Sequence, residues 1–69
     1  MHANYRGLWK ILIDKQMKKK DLVLVANISW TSVTKMSKGE NVSMDILMKV
    51  CKVFDCNIGD IVEFEKDNR

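Results

Sequence analysis

The side chains able to do chemistry fall into three groups, and two of them fail as reaction centres. Cys51 and Cys56 form a C-x4-C pair with no histidine nearby, and His2 stands at the far end of the chain. A zinc site needs three or four ligands, so the pair reads as two buried thiols filling core space, and no metal site is expected. The carboxylates Asp14, Asp45, Asp55 and Asp60 show no acid/base spacing, and no nucleophile pairs with a histidine. No glycine-rich loop cradles a phosphate, and so short a chain has no room for a substrate cavity. These absences argue against an enzyme, and no cofactor is expected.

The third group lies between Lys18 and Asn41. Trp30, Thr31, Thr34, Lys35 and Lys38 are the outward positions of one short helix. Threonine pairs with several base edges and meets a thymine methyl, while lysine prefers the acceptors of guanine. That face suits the major groove of DNA. Ser32, Lys38 and the backbone amides that open the flanking helices are placed to grip phosphates. The run Lys18-Lys19-Lys20 puts three cations at a helix N-terminus, where each opposes the macrodipole by about 0.3–1 kcal/mol. A docked phosphate would reverse the sign of that interaction, whereas the bland reading is a solvated charge run.

The elements that must position these residues follow from periodicity and caps. Leu8, Ile11, Leu12 and Lys15 predict a first helix from Arg6 to about Gln16, with Trp9 and Ile13 widening its apolar face and Gly7 weakening its first turn. Met17 plugs the gap to a second helix, Lys19 to about Ala26, with Leu22, Val25 and Ala26 inward. Asn27 tolerates the left-handed conformation a tight turn needs, and Ile28 is the buried peg of that turn. Ser29 caps a third helix, Trp30 to about Lys38, with Val33 and Met36 inward, and Gly39 ends it. Ser43 caps a fourth, Met44 to about Phe54, with Leu47, Val50, Cys51 and Phe54 as its core stripe. Asn57 opens a short fifth, Ile58 to about Ile61. The alternating tail Ile61-Val62-Glu63-Phe64-Glu65 reads as a short strand or a frayed end, and Ala3-Asn4-Tyr5 is its plausible partner. Met17, Met36, Met44 and Met48 read as core filler, and Trp9 as a core or dimer aromatic.

The totals bound the answer. Sixty-nine residues make one domain, 1–69, with 46% apolar and 30% charged residues, no proline and three glycines. A chain this short buries only about 60% of the surface its unfolded form exposes, so its core is compact or shared with a partner. No apolar run reaches the length of a membrane span and the N-terminus lacks a signal pattern, so a reduced, cytoplasmic setting is expected. Net charge is +3, unevenly spread. Residues 1–38 carry +6 and residues 39–69 carry −3. A dipole of that kind orients a small protein on a polyanion.

The spacing Leu22-x5-Ile28-Ser29-x3-Val33-x2-Met36-x2-Gly39 resembles the Cro/cI-type helix-turn-helix family, also called XRE or lambda-repressor-like, with the motif at about 19–38. The second half, GENVSMDILMKVCKVFDCNIGDIVEF, looks like a bacterial subgroup of short regulators. The resemblance covers residues 6 to about 64. It implies a compact, all-α, five-helix DNA-binding domain from a bacterium or a mobile element. It further implies sequence-specific binding to double-stranded DNA, usually as a homodimer on a palindromic operator. Carried over by position, Trp30, Thr31 and Lys35 match base-reading sites, with Thr34 a further candidate. Lys19, Ser32, Lys38 and Asn41 match backbone-contacting sites, and Lys18 and Lys20 join them through the lysine run. The dimer surface is expected at Ile61, Val62 and Phe64. With no sensor segment in the sequence, repression by occupying a promoter is the simplest activity.

Three departures from the family pattern stand out: Val23 for alanine, Asn27 for glycine and Lys18 for a Ser/Thr cap. A larger Val23 facing the small Ala26 conserves local volume. Trp30, leading the third helix, is the fourth oddity. It can press on a thymine methyl or the sugar-phosphate wall, fold onto the second helix, or anchor a protein partner. The last of these defines the rival reading, a protein-interaction module on the same scaffold that binds a toxin or another regulator.

Overall fold

The computed structural model describes residues 1–66. Residues 67–69, with the end of the expected domain and the charges of Asp67 and Arg69, lie outside the described residues. The chain runs β1 (His2–Asn4), α1 (Arg6–Asp14), α2 (Lys19–Ala26), α3 (Trp30–Ser37), α4 (Met44–Phe54), a 3-10 turn (Ile58–Asp60) and β2 (Glu63–Glu65). The expected helices one to four therefore form, with α2 and α4 at the bounds read from the sequence.

The all-α, five-helix expectation is corrected. Among the described residues there are four α-helices and a small two-stranded sheet, and the fifth helix is a single 3-10 turn. Asn57 and Asp60 open the turn: the Asp60 carboxylate accepts from the Asn57 amide at 3.0 Å, as Asp21 does at the start of α2. Ile61 then drops wholly into the core and the chain continues extended. β2 pairs antiparallel with β1, matching His2 to Glu65, Ala3 to Phe64 and Asn4 to Glu63. The expected strand partner is thus present, shifted by one residue. Tyr5 is buried instead as the hinge into α1, whose Arg6 amide donates to Asn4 Oδ1 at 2.8 Å.

Glu65 ties this sheet to α1. Its carboxylate accepts from Asn4 Nδ2 at 2.8 Å, meets His2 Nε2 at 3.2 Å and pairs with Arg6. These contacts, led by the Asn4 hydrogen bond and including the charge of Arg6, hold its carboxyl below the usual carboxylate range.

The core is one cluster drawn from every helix: Leu8 and Leu12 of α1, Leu22 and Ala26 of α2, Val33 and Met36 of α3, Leu47 and Val50 of α4. Ile28, Ile61, Ala3 and Tyr5 complete it. Several expected core residues stay outside. Ile13 is 73% exposed, and Met44 and Met48 are 60% and 61% exposed. Val25 is also exposed, while Met17, Cys51, Phe54 and Cys56 are half-buried at the margin. Each helix is short and single-sided, so residues flanking its central stripe face solvent.

Gly7 is not a weakness in α1 but a requirement. A Cβ there would sit 2.1 Å from the Asp60 carbonyl oxygen, and the Leu8 amide donates to the Ile61 carbonyl at 3.3 Å. The absent side chain lets α1 lie against the 3-10 turn.

Candidate nucleic-acid interface

The turn before α3 is built from three residues. Asn27 adopts φ 54°, ψ 50°, the left-handed conformation, and its amide closes α2 on the Val23 carbonyl. Ile28 is buried and donates to the same carbonyl at 3.3 Å. Ser29 then caps α3, its hydroxyl accepting from the Ser32 amide at 3.1 Å. Asparagine stands in for glycine because its short polar side chain tolerates this region.

On α3, Val33 and Met36 anchor the inner face, which leaves Thr31, Thr34, Lys35 and Lys38 along the outer one. Thr31, Lys35 and Lys38 are exposed. Thr34 is half-buried, and its hydroxyl donates to the Trp30 carbonyl at 3.0 Å. That bond occupies its proton and leaves its oxygen lone pairs and methyl for an incoming group. Ser32 is half-buried and lies 3.0 Å from the Ser29 hydroxyl, so it serves the turn first. Trp30 is 56% exposed and stands on the first turn of the helix.

Lys18, Lys19 and Lys20 are exposed at the start of α2. Lys18 occupies the cap position, and its backbone amide donates to Asp21 Oδ2 at 2.8 Å. The Asp21 carboxylate thus does the capping that the lysine cannot, and it offsets part of the lysine run's conflict with the helix dipole. Lys19 is held from two sides. Its ammonium lies 4.4 Å from the centroid of the Trp9 ring and donates to Ser37 Oγ at 2.9 Å. Ser37 Oγ in turn donates to the Val33 carbonyl at 3.0 Å. One cation is thereby fixed where α1, α2 and α3 meet. Neither Trp9 nor Ser37 was identified from sequence as part of this surface, since their separation from Lys19 carries no local signal. Asp21 was missed as well, although an acid three residues after the cap is the signal that could have found it.

Asn41 is exposed in the loop after α3. Gly39 turns that loop at φ 74°. The buried Tyr5 hydroxyl pins it by donating to the Glu40 carbonyl at 2.9 Å. Burial pushes the Tyr5 phenol above its ordinary pKa, so it remains a donor.

Of the three residues expected to form a dimer surface, Ile61 has no surface to offer, being fully buried within its own chain. Val62 is half-buried and Phe64 is 73% exposed on β2. Cys51 and Cys56 are free, half-buried thiols rather than fully buried ones. Burial pushes the Cys56 thiol up, and the neighbouring Cys51 adds to the effect. No three His, Cys, Asp or Glu side chains converge among the described residues. No helix among them is long and apolar enough to cross a membrane.

Residues 7–67 match the family model described as the Cro/C1-type HTH DNA-binding domain. A crystal structure of the transcriptional regulator VanUg, form II, is similar at 40% identity with a TM-score of 0.85, over 90% of this chain and 83% of that one. No curated protein matches. The motif, the cap-and-turn geometry before α3 and a match across nearly the whole chain agree: this chain belongs to the Cro/C1-type helix-turn-helix family of DNA-binding domains.

Proposed function

We propose that this protein is a sequence-specific transcriptional repressor that binds a palindromic operator as a homodimer, with α3 in the major groove. The observation that carries the reading is the outer face of α3, where Thr31, Thr34, Lys35 and Lys38 align beside a lysine already fixed by Trp9 and Ser37. Thr31, Thr34 and Lys35 read base edges, and Trp30 at the leading end presses on a thymine methyl or the sugar wall. Lys18, Lys19, Lys20, Lys38 and Asn41 contact phosphates, and Ser32 contributes where its bond to Ser29 allows.

The dimer forms through β2. Phe64 stands at the rim of a hollow of about 280 Å³ lined by Ala3, Tyr5, Val42, Leu47 and Val62. Across a two-fold axis each Phe64 enters its partner's hollow, a self-complementary contact. Two α3 helices then address successive major-groove faces about 34 Å apart. Exposure of Trp30 favours one second reading, a protein-binding module with that indole as anchor.

Selecting bound duplexes from a random pool tests the proposal. A palindrome supports the dimeric regulator, an asymmetric site removes the two-fold dimer, and no enrichment leaves the protein-binding reading standing.

A further inference from the structure

One groove of about 470 Å³ lies along α4 and the 3-10 turn, lined by Met44, Leu47, Met48, Cys51, Lys52, Cys56, Asn57 and Ile58. Four sulfur-bearing side chains of this chain's seven meet in it. Met44, Met48 and Cys51 are spaced at four and then three residues along α4, so they share one helix face. Cys56 joins them through the helix end. Asp55 takes the left-handed conformation at φ 51°, and the Cys56 amide reaches back to the Cys51 carbonyl at 3.1 Å. That bond is the six-to-one bond of a Schellman-type cap, a geometry in which the residues at the two ends frequently pack together. Here those positions are both cysteines, and both line the groove.

The donor set is selective. No histidine or carboxylate lines the groove, which disfavours zinc, magnesium and calcium. Thiolate and thioether sulfur together suit a soft monovalent ion. Both methionines are well exposed, so their thioethers are not committed to core packing and can turn toward the thiols. Lys52 lies on the same groove and supplies a positive charge.

We propose that this groove binds one Cu(I) ion per chain through the sulfurs of Cys51 and Cys56, with a thioether of Met44 or Met48 completing a sulfur-only site. The ion replaces the two thiol protons, which pass to solvent; two Cu–thiolate bonds and one Cu–thioether bond form, without any change of oxidation state. The resulting centre carries one negative charge, with Lys52 on the groove and the Asp55 and Asp60 carboxylates near Cys56. The site shares no residue with the α3 face, so its test is separate from that of DNA binding.

The test is anaerobic titration of the reduced full chain with Cu(I), in competition with a coloured Cu(I) chelator, followed by sulfur-to-copper charge-transfer absorption. One ion per chain is expected, lost in both Cys51→Ser and Cys56→Ser. The double change Met44→Leu with Met48→Leu conserves volume and fold, and is expected to weaken binding about tenfold, the scale on which supporting groups tune metal affinity. Failure of the wild-type chain to compete with the chelator overturns the site. So do binding that survives loss of either cysteine, affinity unmoved by the methionine pair, and a preference for Zn(II) over Cu(I).

Discussion

Lys35 is the residue whose substitution separates reading from holding. It is exposed on the outer face of α3, one helical turn from Thr31. Lys35→Ala is expected to lower specific over nonspecific affinity by about 1–3 kcal/mol and to relax choice at one base position, measured on operator variants. An equal loss on every sequence would make Lys35 a phosphate contact instead. Lys19 makes the opposite case. Trp9 and Ser37 hold its ammonium in place before any ligand arrives. Ser37→Ala is therefore expected to weaken binding to all duplexes alike while leaving base preference unchanged. A shift in the preferred operator would place Ser37 or Lys19 at a base. The lysine positions were legible in the sequence as a charge run. Their fixation was not, because a contact between residues ten and eighteen positions apart leaves no periodic mark.

At the level of elements, two features bear directly on how α3 is presented. Gly7 lets α1 rest on the 3-10 turn, where an added Cβ would strike the Asp60 carbonyl. Gly7→Ala is expected to destabilise the fold by about 1–3 kcal/mol in chemical denaturation, an overpacking loss that outweighs alanine's better helix propensity. A stabilised variant would refute the close approach. The β1–β2 pairing leans on Glu65, whose carboxyl is held below its ordinary pKa by Asn4, Arg6 and His2. The folded value is the lower one, so this contribution is fully present above the unfolded carboxylate pKa and is lost as pH falls through the folded value. Amide exchange at residues 2–4 and 63–65 is expected to quicken over that acidic window, and Glu65→Gln is expected to remove the dependence.

The same elements show why sequence legibility was uneven. Helices two to four announced themselves through caps and core spacing: Ser29, Ser43, Asn27, and the pairs Val33–Met36 and Leu47–Val50. The fifth helix did not survive because Ile61 is drawn wholly into the core and the chain runs on extended to pair with β1. Burial of Ile61 also removed it from the expected dimer surface. A period of two and a short helix look alike over five residues, and only the partner strand decides between them.

On the scale of the whole molecule, charge and shape divide the labour. Lys18, Lys19, Lys20, Lys35 and Lys38 lie on α2 and α3 or at their ends, and the acidic half carries β2 with its exposed Phe64. Phe64→Asp is expected to yield a monomer in analytical ultracentrifugation that folds normally and binds a palindromic site no more tightly than a single half-site. An unchanged oligomeric state would move the dimer surface elsewhere. The central claim is that this basic face grips a duplex through its phosphates so that α3 can read it. Its most direct test is the affinity for a selected duplex measured across salt concentration. A log–log slope of about −0.9 per phosphate contact is expected, flattening by that amount per chain in Lys19→Ala or Lys38→Ala. A flat salt response in the unmodified protein would contradict the account.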